Sequence, residues 1–237
     1  MLGIALQYGI TLESLQAANP GVDPQFLSVG TGLIIPLGDE IQVVAVMPTA
    51  VAVEWMEPVC YQSGEGGAWC FLLVENNRPV TVENLSAWIG VFGLDGATIA
   101  TQVAVGPLNI LRPGQAMPLM VYFPPPLPYD FVVRGELLTA IELSRDDTRY
   151  LDLGISNLNQ EVKGEGGSEA RVSGAIELPA GSPVPGQIWI AVVAYDQDGR
   201  VVGLRKWESV QETAFDLTVY SLGGAIDRVE VLTEIRP

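Results

Sequence analysis

The stretch "CYQSGEGGAWCFLLVENN" at residues 60–77 returns one hundred residues later as "QEVKGEGGSEARVSGAIEL" at 160–178. Gly64-Glu65-Gly66-Gly67 becomes Gly164-Glu165-Gly166-Gly167. The correspondence continues downstream. "AWIGVFGLDGATIATQ" from Ala87 matches "IWIAVVAYDQDGRVVGL" from Ile188, with Trp88 on Trp189 and the Asp95-Gly96 turn on Asp198-Gly199. "PLMVYF" around Tyr122 matches "DLTVYS" around Tyr220. A period of about one hundred residues is too long for a solenoid and fits a tandem domain. Each copy carries about seven short runs rich in Val, Ile, Leu and aromatics, broken by Gly, Pro and Asp-Gly turns, which is the pattern of an antiparallel β-sandwich. The expected fold is mainly β, with one sandwich over residues 41–147 and a second over 148–237. Trp88 and Trp189 are expected in the core, and each strand is expected to turn one face inward and a more polar face outward.

Composition fits this. Gly (26) and Pro (17) are spread along the chain, and only 17% of residues are charged. The net charge is −16. It argues against a nucleic-acid partner and an anionic membrane surface. No apolar run reaches the ~18 residues of a membrane span. The chain has no histidine, which removes the usual general base near neutral pH and the commonest metal ligand. No nucleophile elbow and no metal-ligand spacing appears, so neither an enzyme, a metal site nor a cofactor is expected.

Cys60 and Cys70 flank the first Gly-rich turn, and Gln160 and Ala170 are read as their counterparts. If the strands pair around Glu65, the sulfurs face each other. The expected disulfide favours an oxidising compartment. Glu165, Asp196, Asp198 and the run Arg145-Asp146-Asp147-Thr148 read as solvated turns rather than a calcium loop. Trp69 and Trp207 are expected to pack on the core, and Phe123-Pro124-Pro125-Pro126-Leu127-Pro128 reads as a stiff surface connection.

The first 38 residues differ. Ala5 and Tyr8 share a helical spacing that Gly9 ends. Thr11 is an N-cap before a second short helix whose Leu12, Leu15 and Ala18 share a face, and Asn19-Pro20-Gly21 stops it. After the Val29-Gly30-Thr31-Gly32 turn comes a short strand, Leu33-Ile34-Ile35-Pro36.

That order, with "IALQYGIT", "LQAANPG" and "VGTGLIIP", resembles the LysM domain, a helix pair on a two-stranded sheet that binds N-acetylglucosamine-containing glycans such as peptidoglycan or chitin. A LysM unit opens with a strand and a Gly-Asp-Thr-Leu turn; Met1 stands about where that leucine falls. The resemblance therefore implies a truncated module at 1–38 and a natural chain that is longer at its N-terminus, with a signal sequence upstream. One wall of the family's sugar groove is the missing turn. The other corresponds to Asp23, Pro24, Gln25, Phe26 and Leu27, which the resemblance marks as glycan-binding. In such grooves backbone donors and acceptors hold the acetamido group and an apolar wall meets its methyl. The first β copy, through "FLLVENNRPVTVENLSAWIGVFGLDGATIA" and "ILRPGQAMPLMVYF", is similar to the FxLYD or fibronectin-like domains of bacterial surface proteins.

The expected function is a non-enzymatic, extracellular or cell-surface protein. Its LysM-like piece holds peptidoglycan or a related glycan, and its sandwiches serve as spacers or meet a protein partner. The alternative is an assembly module whose LysM-like piece no longer binds sugar and packs on the first sandwich through Leu6, Leu12, Leu15 or Phe26.

Overall fold

The computed structural model describes residues 4–5, 8, 10–20, 33–36, 51–179, 181–182 and 184–237. The chain divides into two compact units, Met1–Thr49 and Ala50–Pro237.

In the first unit, Ile4 and Ala5 are helical, and the Ile10 N–H donates to the Ala5 carbonyl at 3.0 Å to close the turn. Helix α1 spans Leu12–Ala18. Thr11 caps it as its sequence predicts, with Oγ1 accepting from the Ser14 N–H at 3.1 Å. Leu15 is fully buried, Leu12 and Ala18 are half-buried, and Glu13 and Ala17 face solvent.

The second unit is mainly β and repeats one plan twice. The first copy contains β1 (Glu54–Trp55), β2 (Val59–Gln62), β3 (Ala68–Glu75), β4 (Val82–Phe92), β5 (Thr98–Val105), β6 (Ile110–Leu111), β7 (Ala116–Phe123) and β8 (Val132–Glu142). The second contains β9 (Ile155–Lys163), β10 (Glu169–Ile176), β11 (Gln187–Tyr195), β12 (Val201–Ser209), β13 (Ala214–Tyr220) and β14 (Arg228–Arg236). The expected seven strands per copy are thus eight and six among the described residues. Short β1 and β2 both pair with β3, where the second copy uses one long β9 against β10.

In both copies the pairing is the same. β3 lies between β1/β2 and β7 as β10 lies between β9 and β13, and β4 lies between β5 and β8 as β11 lies between β12 and β14. All pairs are antiparallel. In the first copy one bridge, Val105 to Met120, joins the two halves into an eight-stranded sheet. The second copy keeps two three-stranded sheets. Their inner faces meet in one core: Val172, Phe215 and Val219 from one sheet against Ile188, Ile190, Val192 and Ile235 from the other.

The glycine-rich turn shares one feature between the copies, while the second alone forms a 3-10 turn over Glu165–Gly167. Gly66 and Gly166 take positive φ of 84° and 65°, a region that side-chain-bearing residues avoid. Cys60 and Cys70 stand directly opposite and form a disulfide with Cα atoms 4.1 Å apart. The counterpart of this pair is corrected by the register. Ala170 faces Val162, not Gln160. The second hairpin is two residues shorter between matching pairs, so an apolar Val–Ala pair occupies the disulfide's place.

Two further expectations fail. Strand β11 is buried on both faces. Ile188, Ile190, Val192 and Ala194 enter its own copy's core, while Ala191, Val193 and Tyr195 enter the core of the first copy, with Trp189 packed against it. Trp88, between buried Ala87 and Ile89, and Trp189, between buried Ile188 and Ile190, lie on the outer faces of their strands and are half-buried, not core. One-face-in alternation fails at β11 because its outer face is covered by the other sandwich.

The cover comes from β3. Phe71 and Leu73, 3% and 7% exposed, point away from Leu72 and Val74 and share a core with the outer face of β11. A polar clasp locks the same junction. Glu234, fully buried on β14, accepts from the Asn109 backbone N–H at 2.5 Å and its Nδ2 at 2.9 Å, and pairs with Arg236 at 2.7 Å. Arg112 of the first copy donates to the Thr233 and Leu151 carbonyls at 2.6 and 3.0 Å.

Candidate functional site

The segment with sequence-derived binding residues is organised by one side chain. Asn19, 7% exposed at the end of α1, donates from Nδ2 to the Leu15 carbonyl and to the Ile34 carbonyl, each at 2.8 Å. Its Oδ1 accepts from the Ile34 N–H at 2.8 Å. One amide thus meets both backbone groups of Ile34, as a neighbouring strand would. It ties residues 33–36 to the end of α1 and fixes the two ends of the stretch between Asn19 and Ile34. That stretch carries Asp23, Pro24, Gln25, Phe26 and Leu27, all five of which lie outside the described residues. Sequence reasoning used Asn19 only as a helix stop. Its polar type, set beside apolar Leu15 and Ala18, was the available signal of a second task, because a buried amide has to find partners.

Residues 3–36 match the LysM domain family. LysM domains bind carbohydrate, peptidoglycan included, and are not catalytic. No curated protein sequence matches the chain. Two solved structures are similar to it in part. One is a glycosyl hydrolase family 2 member from Bacteroides cellulosilyticus, at 11% identity and TM-score 0.22, over 73% of this chain and 22% of that one. The other is described as "putative beta-galactosidase" from Bacteroides fragilis, at 14% identity and TM-score 0.17, over 75% of this chain and 29% of that one. The chain thus spans less than a third of either, and similarity this slight bears on no functional question.

Outside the LysM segment, the acidic clusters resolve into turns. Asp196 accepts from the Asp198 and Arg200 N–H groups at 3.0 and 2.9 Å, and the Arg200 side chain pairs with both carboxylates. Asp147 pairs with Arg149, which also reaches Glu83. Among the described residues no group of three or more His, Cys, Asp or Glu is placed to hold a metal ion. Hydrogen bonds from Arg149, Lys206 and Arg171 hold Asp147, Glu208 and Asp216 below the usual carboxylate range. At Asp196, burial pushes upward and is outweighed by the N–H groups and charge of Arg200. All four carboxyls are thus anions near neutral pH, unlike a general acid, which has to keep its proton there.

Three of the tryptophans pack on other side chains. Trp69 packs at 5.0 Å from Tyr122 and Trp207 at 6.2 Å from Phe215, each half-buried against a core. Trp189 is sandwiched between Lys206 and Arg236, 4.6 and 4.8 Å from its ring. The Pro-rich connection carries a cis peptide between Pro125 and Pro126 and is anchored by Gln62, whose Nε2 donates to the Pro128 and Tyr129 carbonyls. Among the described residues no helix is long and apolar enough to cross a membrane.

Proposed function

We propose that residues 3–36 hold an N-acetylglucosamine-containing glycan, peptidoglycan first among them, through the stretch Asp23–Leu27, and that the chain acts by binding rather than by catalysis. The match of residues 3–36 to the LysM family carries this reading. The Asn19 clamp supports it, because a binding loop needs fixed ends to present backbone donors and acceptors without losing affinity to loop ordering. The paired sandwiches then act as a stiff spacer, or as the body that meets a protein partner. The Cys60–Cys70 disulfide agrees with an exported, cell-surface setting.

Co-sedimentation with purified peptidoglycan tests the proposal. The chain is expected in the pellet, soluble N-acetylglucosamine oligomers are expected to release it, and Phe26→Ala is expected to leave it in the supernatant. Retention that Phe26→Ala and the oligomers leave untouched would place binding elsewhere on the molecule. No retention at all would favour a purely structural module.

A further inference from the structure

The outer face of β5–β4–β8 is the repeat counterpart of the β12–β11–β14 face that the first copy covers. In the first copy it is exposed among the described residues. Across it, Trp88 stands between Val103 and Glu136, Gly90 between Thr101 and Arg134, and Phe92 between Thr98 and Val132. Val103 and Val105 are each 55% exposed and Val132 is 42% exposed. The Trp88 indole lies across Gly90, where a Cβ would come within 2.6 Å of the ring, so any larger residue there would displace it. Phe92 stands 6.0 Å from Trp88, and the Arg134 guanidinium rests 5.4 Å above the Phe92 ring.

We propose that this face is a homodimer interface: a second copy of the chain lays its own β5–β4–β8 face on it about a two-fold axis, bringing Arg134 of each chain to Glu136 of the other. Three observations support this occupant. The equivalent face of the second copy is already a sheet-stacking face within the molecule. The patch carries one cation and one anion two residues apart on β8, so its own charge cancels on a chain of net charge −16. An antiparallel two-fold pairing satisfies both charges with a single self-complementary patch. The far face of the second sandwich fits worse. It presents Glu169 and the Arg171–Asp216 ion pair, and setting those against valines would strip three charges of water with no new partner in return. A glycan also fits worse, since Val103, Val105 and Val132 make much of the exposed area apolar and Arg134 is already seated over the Phe92 ring.

The like net charge of two chains opposes encounter, so association should strengthen as salt screens it, from about 20 to about 300 mM NaCl. Sedimentation velocity at the higher salt, over roughly 1–200 µM protein, should show a monomer–dimer equilibrium. Val103→Lys should leave monomer only. Arg134→Glu should weaken association about 10-fold or more, and adding Glu136→Arg to it should restore pairing. All three positions are on the surface, and an unchanged near-UV spectrum confirms that each variant folds. A native chain monomeric throughout the range, a dimer indifferent to Val103→Lys, or a monomer in which the Trp88 indole N–H signal in NMR shifts saturably with a soluble glycan would each overturn the proposal.

Discussion

Strands β3 and β10 occupy the same place in two copies of one sandwich, and their outward faces are opposite in character. Opposite Tyr122 and Tyr220 stand Trp69 and Glu169. Opposite Met120 and Thr218 stand Phe71 and Arg171, and opposite Pro118 and Asp216 stand Leu73 and Ser173. The inward residues agree at two of three positions: Cys70 and Leu72 answer to Ala170 and Val172, all fully buried, while Gly174 stands where Val74 does. The backbone plan thus fixes the inner face alone. The outer face follows what covers it. On β3 that is the other sandwich, and on β10 it is water, met by the exposed Arg171–Asp216 ion pair.

Exchanging residues between the two faces should break this asymmetry at one site and spare it at the other. Phe71→Arg puts the β10 residue into the junction, where a guanidinium would lose its water without gaining a carboxylate. The expected loss is about 4 kcal/mol or more in urea unfolding. A loss under about 1 kcal/mol would mean the junction opens freely. Next comes Glu234→Ala, which strips the buried acceptor from Asn109 and Arg236 and should cost about 3 kcal/mol. Converting the disulfide to the second copy's apolar pair, as Cys60→Val with Cys70→Ala, should cost about 2–3 kcal/mol through the freed ten-residue loop, with no change in strand content by circular dichroism. The smallest effect belongs to Arg171→Phe. It should stay within about 0.5 kcal/mol, because nothing covers that site and exposed ion pairs contribute little.

The parts of the fold legible in the sequence are those set by near neighbours. The Thr11 cap, the Asp95-Gly96 and Asp198-Gly199 turns and the Cys60–Cys70 pairing each depend on residues within about one turn or hairpin. The repeat was legible because two copies of one plan sit in a single chain. The placement of Trp88 and Trp189 was not, because period-2 alternation says which residues share a face and not which face is covered. One signal was present. "IAVVAY" at 190–195 is an unbroken apolar run, as a strand buried on both sides requires. The clasp joining Arg112, Asn109 and Glu234 was out of reach, since its partners lie more than one hundred residues apart. The two-residue shortening that sets Val162 against Ala170 was hidden by the shared Gly-Glu-Gly-Gly, which aligns the turns and not the strands beyond them. For glycan binding, the LysM pattern was legible at 3–36, while the five residues proposed to touch sugar fall in the stretch between Asn19 and Ile34.

On the proposed function, one short segment of a long chain does the binding. Amide NMR of the intact protein, titrated with N-acetylglucosamine oligomers, tests it most directly. The account predicts saturable shifts confined to residues 3–36, largest between Asn19 and Ile34, with the amides of β1 to β14 unmoved. Shifts that map to the sandwiches, or none at millimolar sugar, would contradict it.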